Sequence, residues 1–486
     1  MDYDVLIVGA GISGIDAAYR LQTRCPAKTY AILEARDAVG GTWDLFKYPG
    51  LRSDADLFQF SFPFEPWRSE KSIADGAAIL DYIKETAAKY RIDTRIKFDS
   101  KVVSSDWSGV ESRWTVRVAH RDGSTEEHRA RFVYFCSGYY SYDSGYLPEF
   151  AGIDTFRGEV VHPQEWPEGL DYGGKRVVVI GSGATAITLL PALAKEAEKV
   201  TMLQRTPGYL MSMADRDPIA DQLRKLLPEK LAHSLARWKN VLIALAVFHL
   251  FRRLPGLAKK TLIQGVTKKL PDGYRVDTHF TPPYNVFDQR MLLVPNGDLF
   301  AAISAGQAEV VTGHIDRFIE SGVLLKSGEK LKADIIVTAT GLRLVFAGQA
   351  RVTVDGEPVE LPDRFVYRGQ MLDGLPNFSF CVGYTNAPWT LRADQAAKYL
   401  CRLLNHMDRD GFEVATPRLP GRPQRRRPLL ALESGYIKRA KNVLPSQGTG
   451  AWYKRQNYFI DLIETRFGDI GQDMVFAPAA EHDRLG

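Results

Sequence analysis

Two segments of the chain share one order, which is a short apolar stretch, a glycine-rich turn and a helical pattern. The first runs from residues 5–8 (VLIV) into 9–14 (GAGISG), and the second from 177–180 (VVVI) into 181–186 (GSGATA). A strand that leads through such a turn into a helix is the phosphate-binding unit of doubly wound α/β domains. The sequence therefore predicts an α/β fold with two Rossmann-like domains, each of which binds a dinucleotide.

The glycines of the first turn have separate roles. Gly9 permits the tight turn, Gly11 lets a pyrophosphate approach the backbone, and Gly14 lets the helix pack closely against the strand. The N-terminus of the helix favours the phosphate charge. Glu34 ends the next apolar strand, twenty residues beyond Gly14. Its carboxylate can accept hydrogen bonds from ribose hydroxyls, which suits FAD because the FAD ribose has no 2′-phosphate.

The second turn predicts an NADPH site. Its following strand, residues 200–203, ends in Gln204 and Arg205 rather than in an acid. An acid would repel the 2′-phosphate of NADPH, whereas Arg205 can form a charge-assisted pair with it. An ordinary surface role for Arg205 is the alternative. The residues predicted to hold this cofactor are Gly181, Gly183, Ala184, Thr185, Ala186, Arg205 and Thr206.

Two dinucleotides on one chain imply that electrons pass between them. Residues 334–341 (DIIVTATG) form a strand pattern with a small-residue end, which is typical of the point where a chain returns from an NADPH domain to an FAD domain. We therefore expect the NADPH domain to be inserted within the FAD domain. The predicted parts are 1–145 (FAD domain, first part), 146–214 (NADPH domain, first part), 215–275 (helical insertion), 276–342 (NADPH domain, second part) and 343–486 (FAD domain, second part, with the C-terminal region).

The net charge of +5 is concentrated in residues 221–270, which hold eleven Lys and Arg against two acids. Apolar residues at helical spacing lie between the basic ones. This pattern suits a helix on the surface of a membrane, or a helical subdomain with a solvated basic face. The longest nearly continuous apolar run, residues 241–251, is too short to span a bilayer. The N-terminus lacks a signal-peptide pattern, so we expect a cytoplasmic protein, with peripheral membrane contact as the open question and no nucleic acid partner.

The four cysteines, Cys25, Cys136, Cys381 and Cys401, are far apart and form no C-x-x-C pair. This spacing predicts no disulfide framework and no metal site. No cysteine lies between Cys25 and Cys136, which argues against a flavin disulfide reductase. The remaining electron acceptors are O₂, a protein or a quinone.

Two longer motifs then become informative. Residues 156–166 match F-x-G-x-x-x-H-x-x-x-W in every fixed position, and residues 40–54 match G-G-x-W-x-x-x-x-Y-P-G-x-x-x-D in the same way. The chain thereby resembles the Baeyer–Villiger flavoprotein monooxygenase family, and within it a mycobacterial subgroup. The likeness covers most of the chain and weakens in the helical insertion and the C-terminal fifth.

The resemblance implies that NADPH reduces FAD, that O₂ adds at flavin C4a, and that the resulting peroxide converts a ketone to an ester or lactone. It also implies a fixed cation beside the peroxide. Arg290 matches that arginine, and Asp54 matches the carboxylate that orients it. The sequence departs from the family pattern at Gln289, where better-studied members carry Lys. The implied FAD contacts are Gly9, Gly11, Ser13, Gly14, Glu34, Gly41, Thr42, Trp43, Arg52, Ser53, Asp54 and Val102.

Other interpretations stay open at this stage. Arg290 could be a structural or domain-bridging arginine, and His162 in the first motif is interpreted as a linker residue rather than a general base. The expected substrate is a small apolar ketone or a thio-compound. The alternatives to ketone oxygenation are oxygenation of nitrogen or sulfur, or the activity of an NADPH oxidase or a redox-partner reductase.

Overall fold

The computed structural model describes residues 2–421, 424–430, 432 and 434–478. Residues 479–486, at the end of the predicted second FAD part, therefore lie outside the described residues. The helices are α1 Ile12–Arg24, α2 Thr42–Leu45, α3 Leu57–Phe60, α4 Gly76–Lys89, α5 Ala184–Leu193, α6 Pro218–Leu226, α7 Glu229–Arg253, α8 Pro255–Thr267, α9 Val276–His279, α10 Asp298–Ser304, α11 Trp389–Asp410, α12 Gly435–Arg439 and α13 Tyr458–Phe467.

The strands are β1 Asp2–Val8, β2 Tyr30–Leu33, β3 Ile96–Lys97, β4 Lys101–Ser108, β5 Arg113–Ala119, β6 Thr125–Phe135, β7 Tyr140–Gly145, β8 Glu159–Val161, β9 Arg176–Ile180, β10 Lys199–Gln204, β11 Leu210–Met213, β12 Leu292–Pro295, β13 Ala308–Thr312, β14 Ile315–Ile319, β15 Gly322–Leu325, β16 Lys330–Lys332, β17 Ile335–Val337, β18 Leu342–Leu344, β19 Arg351–Val354, β20 Glu357–Pro358, β21 Val366–Tyr367, β22 Met371–Leu372, β23 Phe378–Phe380, β24 Val414–Pro417, β25 Arg427–Pro428, β26 Ser446–Gln447 and β27 Met474–Ala477.

The larger sheet has nine strands and carries the first glycine turn. Strand β1 lies between β6 and β2 and is parallel to both, while β23 adds to the end of β6, also in parallel. Residues 5–8 of β1, strand β2 and residues 132–135 of β6 are continuous apolar runs because both faces of the sheet are covered there. Helices α1 and α11 pack on one face, where Ile15, Ala18, Leu400 and Leu404 belong to one buried cluster. The first predicted Rossmann-like unit is therefore present.

The smaller sheet has five parallel strands in the order β13-β10-β9-β17-β8. Helix α5 follows β9, and its Leu189 and Leu190 are buried against the sheet, in one cluster with Val177 and Val179. The reversal of strand order beside β9 is where a doubly wound sheet opens a ligand-binding crevice. The second predicted unit is thus confirmed as well.

Two short antiparallel strands join the domains. β7 leads out of the nine-stranded sheet, and β18 leads back to it, with Leu342 opposite Gly145. Every strand of the five-stranded sheet lies between these two crossings in sequence. The second dinucleotide-type domain is therefore inserted within the first, as the sequence predicted.

The basic segment is helical, as expected, and consists of α6, α7 and α8. Within the described residues, α7 is the one helix with the length and composition to cross a bilayer, with 25 residues and a mean hydropathy of 1.2 in its most apolar part. The apolar run at 241–251 is shorter than the helix, because α7 continues through polar residues on both sides of this run. The first half of α7 packs on the nine-stranded domain, where Arg237 is buried and donates hydrogen bonds to the carbonyl groups of residues 58, 59 and 61.

Candidate active site

The first glycine turn connects β1 to α1 with little room for side chains. Gly9 has a φ of +105°, in the region that favours glycine. A Cβ atom at Gly14 would lie 1.9 Å from the carbonyl oxygen of Gly9, so α1 begins directly against the turn. Gly11 precedes α1, and no side chain caps the first N–H groups of this helix. These N–H groups are suited to a phosphate.

Glu34, directly after β2, supports this turn. Its Oε2 accepts a hydrogen bond from the N–H of Ala10 at 2.6 Å, and its Oε1 accepts one from the N–H of Arg36 at 3.0 Å. Burial raises the pKa of the carboxyl group, and the two backbone hydrogen bonds oppose that shift. A carboxylate oxygen has more than one acceptor site, so Glu34 can also accept hydrogen bonds from ribose hydroxyls.

A second backbone segment faces the first turn. Gly41 has a φ of +57°, and a Cβ atom on it would lie 3.0 Å from the Cα of Gly11. Thr42 begins α2, and the ring of Trp43 meets Phe60 edge-on with 5.8 Å between the centroids. The gap between the two glycine backbones is a cradle that a side chain would fill. Together with Glu34, this cradle fits the pyrophosphate and ribose of FAD.

Ser13 connects α1 to an aromatic pair that the sequence did not assign to the site. The Nε1–H of Trp389 donates a hydrogen bond to Ser13 Oγ at 2.7 Å. The Trp389 ring stacks on Tyr139, with 5.0 Å between centroids and 10° between planes. Tyr139 in turn shares a hydrogen bond of 2.8 Å with Tyr140. Trp389 and Tyr139 come from segments 250 residues apart in sequence, so no local motif connects them.

Asp54 and Arg290 meet across the two domains. Arg290 Nε lies 3.2 Å from Asp54 Oδ2, and the side chains are 41% and 31% exposed. The carboxylate of Asp54 is the main cause of a raised pKa for Arg290, and the hydroxyls of Tyr139, Tyr140 and Tyr436 act in the same direction. Arg290 is therefore a permanent cation that faces open space and is held by one carboxylate. The structure brings together the two residues that the motifs singled out.

Three of the implied FAD contacts are engaged with protein groups. Arg52 forms an ion pair with Asp298 at the start of α10, which links the two domains. The hydroxyl of Ser53 donates a hydrogen bond to the carbonyl of Ala55 at 2.6 Å. Val102 lies in β4 with its side chain buried in the core of the sheet. For Arg52 in particular, the structure shows a domain-bridging contact.

The second glycine turn leaves an open space at the N-terminus of α5. Gly181 has a φ of +145°, and a Cβ atom there would lie 2.3 Å from the carbonyl oxygen of Ala339. A Cβ atom at Gly183 would meet nothing within 4 Å. Ala184 and Thr185 form the first turn of α5, and Ala186 is buried against the sheet. The dipole and N–H groups of this ten-residue helix face a space that a pyrophosphate can enter.

Arg205 and Thr206 lie exposed at the end of β10, as predicted. A second guanidinium, that of Arg439 in α12, lies over the ring of Tyr146. Burial lowers the pKa of Arg439, and the positive charge of Arg205 adds to that shift. Among the described residues, no carboxylate lies within 4.0 Å of either guanidinium. Arg205 follows this strand directly, and Arg439 lies close enough for the two positive charges to interact, so both can meet one phosphate. Sequence reasoning missed Arg439 because it belongs to the distant C-terminal region.

His162 lies between the two crossing strands rather than beside Arg290. Its Nδ1 accepts a hydrogen bond from the N–H of Gln164 at 3.1 Å, so its Nε2–H donates to the carbonyl of Gly341 at 3.2 Å. Burial lowers the pKa of His162. A neutral imidazole with both nitrogens occupied by backbone groups is a structural residue, in agreement with the linker interpretation.

The four cysteines are free and buried, and each lies in a different segment. The thiol of Cys381 contacts Ser13 Oγ at 3.5 Å, near α1, and Cys381 and Cys136 directly follow the paired strands β23 and β6.

Comparisons with known proteins agree with this geometry. The family model described as "Flavin-binding monooxygenase-like" matches residues 61–348, and that of an "NAD(P)-binding Rossmann-like domain" matches residues 7–68. The chain is 51% identical to "FAD-containing monooxygenase EthA" of Mycobacterium tuberculosis over 97% of this chain and 96% of the relative. It is 50% identical to the protein of the same name in Mycolicibacterium smegmatis, over 97% and 96% of the two chains.

A solved structure described as "Oxidized steroid monooxygenase bound to NADP" shares the fold. It superposes with a TM-score of 0.76 at 23% identity, over 98% of this chain and 100% of the other. The match of the family model to more than half of the chain and the full-length relatives at about half identity lead to one conclusion: the chain belongs to the flavin-binding monooxygenase family.

Proposed function

We propose that the protein is an FAD-, NADPH- and O₂-dependent monooxygenase of Baeyer–Villiger type. In this reaction one oxygen atom of O₂ enters between a carbonyl carbon and its neighbour, which turns a ketone into an ester or lactone. The other oxygen atom leaves as water, and NADPH supplies the two electrons. The observation that carries the proposal is the Arg290–Asp54 pair, a fixed cation that faces the space between two dinucleotide-type domains.

The residues of the chain divide between the two cofactors. FAD would be held by the first glycine turn, the Gly41 segment and Glu34, in a domain formed by residues 1–145 and 343–486. NADPH would be held by the second glycine turn, with Arg205 and Arg439 at its 2′-phosphate, in residues 146–214 and 276–342. When both are bound, FAD supplies the redox chemistry that activates oxygen.

Arg290 has the properties that an oxygen insertion of this kind requires. Negative charge develops on the carbonyl oxygen of a ketone when a nucleophile attacks it, and a preorganised guanidinium stabilises that charge. Asp54 fixes the orientation of Arg290, and its carboxylate keeps the pKa of that guanidinium raised. Burial raises the pKa of Tyr139 to about 12, so its hydroxyl keeps its proton and can serve as a donor at neutral pH.

The test is product analysis with ¹⁸O₂. We expect the purified holoenzyme to consume NADPH and to convert a linear ketone series to esters that carry one ¹⁸O atom each. A thioether in the same assay reports the competing activity, oxygenation of sulfur. Consumption of NADPH that ends only in hydrogen peroxide would instead identify an NADPH oxidase, and reduction of a protein or quinone acceptor would identify a reductase.

A specific observation also favours peripheral membrane contact at the cytoplasmic side. Large apolar side chains on α6, α7, α8 and the turns beside them are exposed, and we call them the outer face: Ile219, Leu226, Leu231, Leu235, Leu242, Ile243, Leu250, Leu254 and Leu257. Basic residues, including Arg252, Arg253 and Lys260, lie among them. Apolar side chains surrounded by cations are complementary to the interface of an anionic bilayer.

Flotation with phosphatidylglycerol vesicles tests this contact. We expect the wild-type holoenzyme to float at low salt, and the Leu250→Glu/Leu254→Glu variant to stay at the bottom of the gradient. Val475→Glu is the matched control, because Val475 is 52% exposed on β27, outside the outer face. Absence of wild-type flotation at low salt, or equal loss in the control, would contradict membrane contact.

A further inference from the structure

Helices α1 and α11 lie side by side, and both begin at the candidate FAD site. Trp389, the first residue of α11, donates its indole hydrogen bond to Ser13 in the first turn of α1. About three turns away from this end, Cys25 directly follows α1, and its Sγ lies 3.6 Å from the carbonyl oxygen of Cys401 in α11. The same sulfur lies 3.4 Å from Oδ1 of Asn405, one turn further along α11. Two cysteines that are 376 positions apart in sequence are therefore neighbours in the fold.

The two thiols also interact with each other. A hydrogen bond between their side chains is the main cause of a lowered pKa for Cys25, and burial opposes that shift. The same hydrogen bond raises the pKa of Cys401, and burial adds to that shift. Cys25 is therefore the thiol that loses its proton more readily, and Cys401 is the one that keeps it. A thiolate beside a protonated thiol is the arrangement from which a disulfide forms.

Cys401 forms part of the wall of a cavity of about 1090 Å³ between α11 and α13. Five basic side chains and one acid line this cavity: Arg24, Lys398, Arg402, Arg409, Arg466 and Asp469. Among the nearby charges, Asp408 raises the pKa of Cys25, whereas Lys28 and Arg24 lower it. A small polar oxidant can therefore reach the wall beside the two thiols, in surroundings that are mainly basic. Reactive cysteines are typically found in such electropositive surroundings.

We propose that Cys25 and Cys401 are a modification site, at which hydrogen peroxide converts the two thiols to a disulfide that joins α1 to α11. Because the two residues are only 4% and 1% exposed, the oxidant must be a small molecule. Hydrogen peroxide meets this condition, and it forms wherever oxidation of NADPH on a flavin is not followed by oxygen transfer. Disulfides in a reducing compartment are usually of this transient, redox-sensing kind.

The reaction has two steps. The thiolate sulfur of Cys25 attacks one oxygen of hydrogen peroxide, so an S–O bond forms, the O–O bond breaks, and the hydroxide that leaves takes up a proton to become water. The sulfur of Cys401 then attacks the sulfenic sulfur of Cys25, so the S–S bond forms, the S–O bond breaks, and a second water molecule leaves with the proton of Cys401. The two sulfurs together lose two electrons, which reduce hydrogen peroxide to water.

The disulfide would act on the helices that hold FAD. The N-terminus of α1 lies at the first glycine turn, and Arg20 of α1 already pairs with Asp394 of α11 at 2.5 Å, midway between the FAD end and the cysteines. A covalent bond across 376 positions restricts the unfolded chain strongly, because the loop that it closes is long. The oxidised protein should therefore keep its FAD under conditions that release FAD from the reduced protein.

The modification site is tested on the purified holoenzyme without NADPH. The protein is reduced with dithiothreitol, desalted, treated with hydrogen peroxide and digested with trypsin after alkylation of free thiols. We expect a disulfide-linked pair of peptides, residues 25–28 (CPAK) and 399–402 (YLCR), and a fall from four free thiols to two. Cys25→Ser and Cys401→Ser should abolish this product, and the matched control Cys136→Ser should keep it. Absence of the linked peptides from the wild type, or a link between Cys136 and Cys381 in their place, would overturn the proposal.

The effect on FAD is tested by urea titration of oxidised and reduced wild-type holoenzyme, with released FAD separated by desalting. We expect oxidation to raise the urea concentration of half-release by about 1 M, and dithiothreitol to reverse the shift. The comparison uses one protein in two states, so it does not depend on the folding of a variant. Cys401→Ser should show no shift on treatment with peroxide. Equal midpoints for the two wild-type states, with the linked peptides present, would overturn the connection between the disulfide and the FAD site.

Discussion

At the level of single residues, the ion pair of Arg290 with Asp54 is one of the contacts that join the two domains. An ion pair with 41% and 31% exposure contributes little to stability, because water screens it. Its value is positional, since the carboxylate fixes a cation at the place where the proposed reaction develops negative charge. Arg52 with Asp298 provides a second bridge of the same kind nearby.

Arg290→Ala is expected to lower ester formation by about 10²–10³-fold, the typical effect of one lost group that stabilises developing charge. Consumption of NADPH should continue and end in hydrogen peroxide. Asp54→Asn should have a smaller effect, and the double variant should be no worse than Arg290→Ala, because the two residues act as a unit. Arg157→Ala is the control, as Arg157 is 77% exposed and pairs with Glu320 on the surface. An unchanged rate of ester formation in Arg290→Ala would contradict the assignment.

Arg205 and Arg439 are expected to determine the preference for NADPH over NADH. Loss of a charge-assisted hydrogen bond costs about 1.5–3 kcal/mol, so Arg205→Ala should raise KM for NADPH by about 10–100-fold. KM for NADH should stay nearly constant, because NADH has no 2′-phosphate. Arg439→Ala should act in the same direction. Steady-state kinetics with both nucleotides measure this, and an equal rise in both KM values would show a structural role instead.

The sequence predicted those site residues that belong to local motifs. Both glycine turns, Glu34 and Asp54 lie in motifs that specify a residue at a fixed distance from the others, whereas Arg290 was assigned through the family resemblance and lies in none of these motifs. Tyr139 and Arg439 could not be predicted, since they reach the site from segments that no local pattern connects to it.

At the level of elements, α7 shows which properties of a helix the spacing of its apolar residues can predict and which it cannot. Its helical character was predictable from the spacing of its apolar residues. Its true length, and the burial of His233 and Arg237 against the nine-stranded domain, were not. A pattern of charges marks a helix face as polar, whereas the structure buries two of these polar residues because the carbonyl groups at the end of α3 accept hydrogen bonds from Arg237.

His233 makes the anchoring of α7 sensitive to acid. Burial lowers the pKa of His233 to about 4, and the positive charge of Arg237 adds to this shift. Above pH 6.5 the residue is neutral in both the folded and the unfolded chain. Between pH 6.5 and 4 only the unfolded chain takes up the proton, so the free energy of unfolding falls by up to about 3 kcal/mol.

His233→Leu should remove the fall in the free energy of unfolding that protonation of His233 causes, because leucine has no charge at any pH. Urea unfolding at pH 7.5 and at pH 4.5 measures the effect as a change in the difference between wild type and variant. The free energy of unfolding of the variant, relative to that of the wild type, should be higher at pH 4.5 than at pH 7.5. A constant difference across the two pH values would show that His233 is solvated in the folded protein.

At the level of the whole molecule, the crossings between the domains meet at one imidazole. His162 accepts a hydrogen bond from the N–H of Gln164, whose side-chain amide donates to the carbonyl of Ser141 in β7, and its Nε2–H donates to Gly341 beside β18. The paths that leave and re-enter the nine-stranded domain are therefore joined through His162 and Gln164. A rotation of one domain against the other must strain or break one of these hydrogen bonds.

His162→Ala is expected to loosen this tie. NADPH should still be consumed, with a larger share of electrons lost to hydrogen peroxide and a smaller share found in ester. Because burial lowers the pKa of His162, the wild-type rate should show no inflection from this residue between pH 7 and 9. The exposed His314 supplies the control substitution, His314→Ala. If the ratio of ester to peroxide is the same in both variants, the coupling role of His162 is wrong.

The insertion of one domain within the other also sets an order of events during synthesis. Strand β23 pairs with the end of β6, so residues 378–380 must meet residues 133–135 before the nine-stranded sheet is complete. The whole five-stranded sheet lies between them in sequence and leaves the ribosome first. The inserted domain can therefore complete its own sheet early, while the edge of β6 in the surrounding domain stays unpaired until β23 has been synthesised. A nascent chain whose first 340 residues have left the ribosome should hold a folded nucleotide domain beside an unfinished flavin domain.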